Sequence, residues 1–308
     1  MLFNKDNNGT DEIRSLTGSY YRNNDFQKIA SEIEAAGEEL STLVSKEVFQ
    51  KAEAAYEADS EDETDMQLIS KLQRPIALLA AMNLYRKNDL SHEDDGRKFK
   101  IDPENEKLPW EWQLDRDDEL QLEGYYKAVD ALIRFLNESD IQEWKETATY
   151  KELQTLLIRS GAEFDKHFPI DKSERTFLLL VPFLREVQML HIKRAYGEGW
   201  DDLLDNADGI NSDARFAACK AASLLAMSLA LERLQLSLIP GGVVRRYLAE
   251  NGASKASPAR LSDIRQVAGW MSEDGKTWIN EMKQARNSGE VQYNLLPHNC
   301  RTNKFFRT

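Results

Sequence analysis

The chain has 308 residues, of which 41% are hydrophobic and 30% charged, a composition that can build a globular core and is not that of an intrinsically disordered protein. Its 53 acidic residues outnumber its 40 basic ones and give a formal net charge of −13. This charge argues against a protein that grips nucleic acid, because phosphate binding needs an excess of Lys and Arg. The length suits about two domains.

The two cysteines, Cys219 and Cys300, are too few for a disulfide scaffold and favour a reducing compartment. The N-terminal residues lack the apolar stretch of a secretion signal, and the longest largely apolar run, residues 221–231, covers about half of a membrane span. We therefore expect neither secretion nor a membrane partner.

Apolar residues in the N-terminal part recur at three- and four-residue steps, the spacing of an α-helix with one buried face. The predicted helices cover residues 26–56 with a break near Gly37, residues 69–82 with Pro75 as a kink or a fresh helix start, and residues 122–136. Together they predict an N-terminal helical module over residues 1–138.

Between these helices, residues 88–118 are polar, lack a helical period and carry Trp110 and Trp112. Long aperiodic stretches in compact domains are often functional or interfacial, so both tryptophans are candidate interaction residues. The alternative is that both rings cover the core of their own module.

Residues 139–172 are predicted to be a connecting helix and linker, and residues 173–288 a C-terminal helical module. The predicted helices of this module cover residues 177–195, preceded by Ser173, residues 213–238, residues 243–250 and residues 259–286. His191 falls among apolar neighbours of the first of these helices, where we expect a core or interface histidine.

The last segment, residues 289–308, is predicted to be an extended C-terminal tail. From residue 291 onward it contains no acidic residue, although the chain as a whole is acidic. A basic tail with large apolar side chains is typical of an arm that lies on a neighbouring subunit. Its candidate interaction residues are Tyr293, Leu295, Leu296, Arg301, Lys304, Phe305, Phe306 and Arg307.

An internal similarity links the two modules. The segment Leu79-Ala80-Ala81-Met82-Asn83-Leu84 resembles Leu224-Leu225-Ala226-Met227-Ser228-Leu229 at a displacement of 145 residues, from Met82 to Met227. The same displacement pairs Leu122 with Val267, Tyr125 with Trp270, Tyr126 with Met271 and Ile133 with Trp278. The fold expected is all-α with two helical modules, which are either a tandem duplication or similar only because Leu- and Ala-rich helices resemble one another.

Residue patterns of catalytic or metal sites are incomplete. Gly275-Lys276-Thr277 resembles the end of a phosphate-binding loop, but Trp270 stands where that loop needs its first glycine, so Gly275 is expected to break a helix. The four histidines lie far apart and lack a second His or Cys at metal-ligand spacing. The sequence therefore predicts no catalytic residue, no cofactor, no metal and no enzymatic activity.

The middle of the chain resembles an uncharacterised family of similar length encoded in phages and prophages of gut bacteria. The residues that carry this resemblance are Trp144, Tyr150, Leu157-Ile158, Phe164, Ile170, Ser173, Arg175, Thr176 and Phe177. Glu174 departs from the pattern, since two adjacent arginines are expected after the linker serine. The helix layout of each half also resembles the small all-helical head–tail connector (adaptor) proteins of tailed phages.

This resemblance implies a virion structural protein: a subunit of a portal-associated ring in the phage neck, assembled in the host cytoplasm. Its implied partners are copies of itself, the portal protein, tail or neck proteins, and DNA that passes through the channel without specific binding. The alternative is a helical binding or regulatory protein of the host cell that acts as a monomer or dimer. A third reading is an enzyme whose site is built from dispersed carboxylates.

Overall fold

The structure, a computed structural model, confirms the predicted all-α class. It describes residues 1–18, 25–88, 110–205, 212–234 and 260–288 in full, together with the backbone of four short strands. The strands form two separate antiparallel hairpins, and helices make up the remaining regular structure of the described residues.

In the first half, helices surround one apolar core, and a hairpin separates the two longest of them. The elements are α1 (Gly9–Thr17), α2 (Gln27–Val44), α3 (Lys46–Glu57), α4 (Glu63–Asn88), β1 (Ser91–Glu93), β2 (Gly96–Lys98) and α5 (Glu111–Glu138). This core extends past residue 138, the predicted end of the module, since it includes Ile141 and Trp144.

The remaining helices follow α5, and all but the first of them build a second core. The elements are α6 (Gln142–Lys145), α7 (Ala148–Gln154), α8 (Gly161–Asp165), α9 (Glu174–Val187), a π-helical turn (Gln188–Ile192), α10 (Lys193–Tyr196), α11 (Trp200–Asp205), α12 (Ser212–Arg233), β3 (Val244–Leu248), β4 (Ser254–Pro258) and α13 (Leu261–Ser288). Ser173 caps α9 as the sequence indicates, since its hydroxyl accepts the Thr176 N–H at 3.1 Å.

The predicted helix over residues 243–250 is wrong. Val244–Leu248 is strand β3, paired antiparallel with Ser254–Pro258 so that Leu248 faces Ser254. An Asn251-Gly252 pair lies between the strands in sequence, and this dipeptide is a strong hairpin signal that outweighs the weak helical spacing of five residues.

The two helix breaks predicted at Gly37 and Pro75 do not occur at these residues. Helix α4 runs unbroken through Pro75, and α2 runs through Gly37 to end before Ser45, whose φ is 96°. Gly37 is needed for packing instead, since a Cβ there would lie 3.3 Å from the ring of Phe49 on α3.

The two halves meet where α5 receives the start of α9. The Asp130 carboxylate of α5 accepts hydrogen bonds from the Ser173 hydroxyl at 3.2 Å and from the Arg175 N–H at 2.8 Å. The Arg175 guanidinium lies 3.6 Å from the centre of the Tyr126 ring, and Leu178 packs against both cores. A charged side chain of one half thus caps a helix of the other.

Both halves share one order of elements: a long helix, an antiparallel hairpin and a second long helix of 28 residues. The helices before the two hairpins end at Asn88 and Arg233, and these two residues differ by the 145 residues found in the sequence comparison. After them, Glu111 and Leu261 differ by 150 residues, because the second connection is longer. The sequence pairs made at 145 within α5 and α13, such as Tyr125 with Trp270, are therefore five residues out of register.

A close contact joins α12 and α13, and the helix ends allow its positions to be compared with those of the first half. Leu225 of α12 lies against Gly275, where a Cβ would come within 2.7 Å of the Leu225 Cγ. The equivalent positions of the first half carry Ala80 and Tyr125, so the large and the small residue exchange helices. Gly275 was expected to break a helix, but α13 runs through it without a break. The absence of a side chain at Gly275 lets α13 approach α12 closely.

We expect Gly275→Ala to destabilise the fold by about 1–3 kcal/mol, because the added methyl group overlaps Leu225. Gly269→Ala on the same helix is the matched control: no atom lies within 4 Å of its Cβ position, and it should stabilise the fold by about 0.5–1 kcal/mol. Urea unfolding measures both. A Gly275→Ala protein as stable as the wild type would mean that the two helices do not approach as described.

Candidate interaction surfaces

The beginning of α5 exposes large apolar side chains. Trp110 is 71% exposed, Trp112 55%, Leu114 40% and Leu120 58%. The Trp110 N–H donates to the Gln113 side-chain oxygen at 3.0 Å, so the first turn of the helix is fixed although its rings face solvent. The alternative that both tryptophans cover their own core is wrong, and their role in binding remains a prediction.

This surface exists because the start of α5 extends beyond the end of α4. Arg86, two residues before the end of α4, pairs with Asp118 at 2.9 Å. The seven α5 residues before Asp118 span about 10 Å at 1.5 Å per residue, and residues 112–117 are all exposed. We call residues 110–120 the α5 start.

The α5 start is also acidic. Residues 111–119 contain five acidic residues against the single Arg116, a net charge of −4. Trp112, Asp115 and Glu119 follow one another at steps of three and four, so they share one face of the helix. The surface therefore combines aromatic and carboxylate groups within a few turns.

The equivalent place in the second half is more closed, although Leu261 and Trp270 nearby are 61% and 59% exposed. There Leu231 of α12 packs with Ile264 and Ala268 of α13, and all three are buried. At displacements of 145 and 150, the first half has Arg86, Leu114 and Asp118 at these positions. An ion pair thus replaces an apolar contact, and Leu114 is left uncovered.

A second aromatic group lies on the other half. Phe216 of α12 is 50% exposed and stacks between His167, with ring centres 5.2 Å apart, and Trp278 of α13, at 5.8 Å. His167 itself is buried, and its Nδ1 has no hydrogen-bond partner within the described part of the chain. Burial first, and then the charges of Lys220, Lys166 and Arg215, lower the pKa of His167 to about 4.

Protonation of His167 should therefore destabilise the fold as the pH falls. The folded pKa lies below the ordinary value of 6.5, so this stability is present above pH 6.5 and is lost between pH 6.5 and 4. Between pH 7.5 and 5 the wild type should lose about 1 to 2 kcal/mol more than His167→Phe. His191→Gln, at an exposed position, is the control and should keep the wild-type pH dependence in urea unfolding. Equal losses in the wild type and His167→Phe would contradict this account.

His191 is exposed and is therefore not a core histidine, while a role at an interface stays a prediction. The π-helical turn that contains it adds a residue to the helical turn. This shift turns Met189 and Leu190 outward, at 51% and 43% exposure, while Gln188 points inward. The regular three- and four-residue spacing assumed from sequence does not hold there.

Two buried carboxylates have structural partners. The Glu174 carboxylate accepts the Gly161 N–H at 2.8 Å at the start of α8, and burial raises its pKa. Glu32 pairs with Lys87. Burial raises the pKa of the Cys219 thiol to about 12, which disfavours a reactive thiolate.

A half-open cleft of about 460 Å³ between α2, α3, α6 and α7 is lined by Glu47, Glu143 and Glu146 among other residues. Among the described residues no three His, Cys, Asp or Glu lie close enough to hold a metal ion.

Helix α12 is long and apolar enough to cross a membrane by length and composition, with a mean hydropathy of 1.4. It is the one such helix in the described ranges. However, 78% of its most apolar window is buried inside the fold, between α9 and α13. We interpret α12 as the core helix of the second half.

The fold therefore defines an all-α protein with two helix–hairpin–helix halves and exposed aromatic surfaces. The chain belongs to the family described as "Family of unknown function (DUF6712)", whose model matches residues 27–153 and 199–305. The first matched stretch contains α4, the β1–β2 hairpin and α5, and the second contains α12, the β3–β4 hairpin and α13. No curated protein and no solved structure is significantly similar to the chain.

The tail residues named as candidates, from Tyr293 to Arg307, lie outside the described residues, as does Cys300. Two features escaped sequence reasoning: the acidic face that accompanies Trp112, and the aromatic group around Phe216. The helical spacing of Trp112, Asp115 and Glu119 was a usable signal for the first. The second depends on contacts between distant segments.

Proposed function

We propose that this protein is a non-catalytic structural subunit that assembles with copies of itself into a ring. The observation that carries the proposal is the α5 start, which holds Trp110 and Trp112 in solvent beyond the end of α4. Exposed aromatic side chains on a rigid element are characteristic of interfaces, where such groups carry much of the binding energy.

The energetics favour an interface with more than one contact. The exposed parts of the two tryptophans amount to about 250 Å², worth on the order of 6 kcal/mol at about 25 cal/mol per Å². Association costs roughly 4–15 kcal/mol in lost motion, so the tryptophans alone would not hold two subunits together. The aromatic and basic residues of the tail are the natural source of additional contacts.

We infer further that the two halves are a tandem duplication. The repeated order of elements, the two stretches matched by one family model, and the exchange of Leu225 and Gly275 for Ala80 and Tyr125 support this inference. A duplicated module presents two similar frameworks on one rigid chain, which suits a scaffold better than an enzyme with one pocket.

The ring is proposed to be the head–tail connector of a phage, lying between the portal protein and tail or neck proteins. This assignment rests on the resemblance to connector proteins. The net charge of −13 supports it, because an acidic channel lets DNA pass without binding it. The protein would act in the neck of the virion after assembly in the host cytoplasm.

The test is native mass spectrometry and sedimentation of the full chain, alone and with the portal protein of its phage. We expect the wild type to form a cyclic oligomer. Trp110→Ala/Trp112→Ala should raise the protein concentration needed for assembly at least tenfold, which corresponds to about 1.4 kcal/mol. Deletion of residues 289–308 should abolish assembly.

Met66→Ala is the matched control, because Met66 is 49% exposed at the start of α4, and it should assemble normally. Urea unfolding of each variant should stay within about 0.5 kcal/mol of the wild type, as for exposed sites. A wild-type protein that remains a monomer or dimer, also with the portal protein, would reject the ring and favour the regulatory alternative.

A further inference from the structure

We propose that the α5 start receives the basic C-terminal tail, residues 291–308, of a second copy of the chain. This inference rests on the proposed assembly and identifies the two surfaces that form its lateral contact. It names a receptor surface for the tail, which the sequence alone does not supply.

Charge complementarity selects the tail as the occupant. Residues 111–119 carry a net charge of −4, and residues 291–308 carry +3 from Arg301, Lys304 and Arg307 with no acidic residue. Both segments also contain apolar groups: exposed tryptophans in one, and Phe305 and Phe306 in the sequence of the other. Opposite charges orient the contact while aromatic burial supplies affinity.

The corresponding region of α13 is a poor receptor. Ile264 and Ala268 are already covered by Leu231, and residues 260–269 carry a net charge of +1 from two arginines and one aspartate. Of the two helix starts that follow a hairpin, the α5 start alone is both acidic and uncovered within the described residues. Each copy therefore offers one receptor surface of this kind.

The length of the tail allows it to reach a second copy. Helix α13 ends beside α10, where the Arg286 guanidinium donates to the Tyr196 carbonyl oxygen, in the second half of the fold. The α5 start belongs to the first half. Eighteen residues reach about 60 Å when extended, enough to cross to a neighbouring subunit.

A tail on one copy that binds a helix start on the next forms a head-to-tail contact. Such heterologous contacts generate a closed ring when the rotation between subunits closes, because each subunit gives one surface and receives the other. The contact proposed here therefore produces the type of assembly that a connector needs.

Charge reversal in the full chain tests the contact. Asp115→Lys/Glu119→Lys raises the net charge of residues 111–119 from −4 to 0 and makes the helix face that carries Trp112 positive, like the tail. Lys304→Glu/Arg307→Glu lowers the charge of the tail from +3 to −1, so that the tail and the α5 start are both negative. Each variant alone should need a protein concentration at least tenfold higher for assembly, since like charges then face each other. Glu34→Lys/Glu38→Lys is the matched control, with two exposed acids at the same spacing on α2, and should assemble like the wild type.

Mixing provides the decisive measurement. An equimolar mixture of the two variants places a negative tail against the positive Trp112 face of one helix start and a positive tail against the negative helix start of the other. We expect native mass spectrometry to show rings that contain the two variants in equal numbers. A chain carrying all four substitutions should also assemble, which shows that neither pair of changes prevents folding.

Three results would overturn the inference. Assembly of each variant at the wild-type concentration would mean that the ring uses other surfaces, and the proposed function would stand. Failure of the mixture while the fourfold variant behaves like the wild type would place the tail on its own chain. A wild-type protein that never assembles would remove the proposed function together with this contact.

Discussion

The packing of α12 against α13 is the contact on which the second half of the molecule depends. Helix α12 is apolar around most of its circumference, so it needs cover on several sides to exclude water. Gly275 lets α13 approach on one side, and α9 covers another. A side chain at position 275 would force the two helices apart and expose part of this core.

The connection between the halves is polar where the cores themselves are apolar. Asp130 caps α9 and Arg175 lies on Tyr126, so the start of α9 is held by charge and by hydrogen bonds to α5. Glu174, the residue between these two contacts, points the other way and caps α8. Three helices are therefore fixed relative to one another by side chains from a segment of three residues, which gives the α5 start a rigid support.

The sequence predicted what local rules determine and missed what depends on neighbours. The all-α class and the Ser173 cap follow from spacing and from cap chemistry within a few residues. The role of Gly275 could not be read from its own helix, because it is set by Leu225, fifty residues away. The exposure of His191 follows from a π-helical turn that no pattern in the sequence predicts. The acidic face with Trp112 was present in the helical spacing, but only the end of α4 shows that no other described residue covers it.

A difference between the two halves gives the proposed assembly its direction. If both helix starts were open, each chain would offer two similar receptors, and contacts could branch. Leu231 closes the one in the second half, whereas Arg86 pairs with Asp118 and leaves Leu114 open in the first. An exposed ion pair contributes little stability, about 0–1 kcal/mol, compared with a buried leucine contact. In the first half this position is therefore not packed within the chain. In the proposed ring, a second chain packs against it.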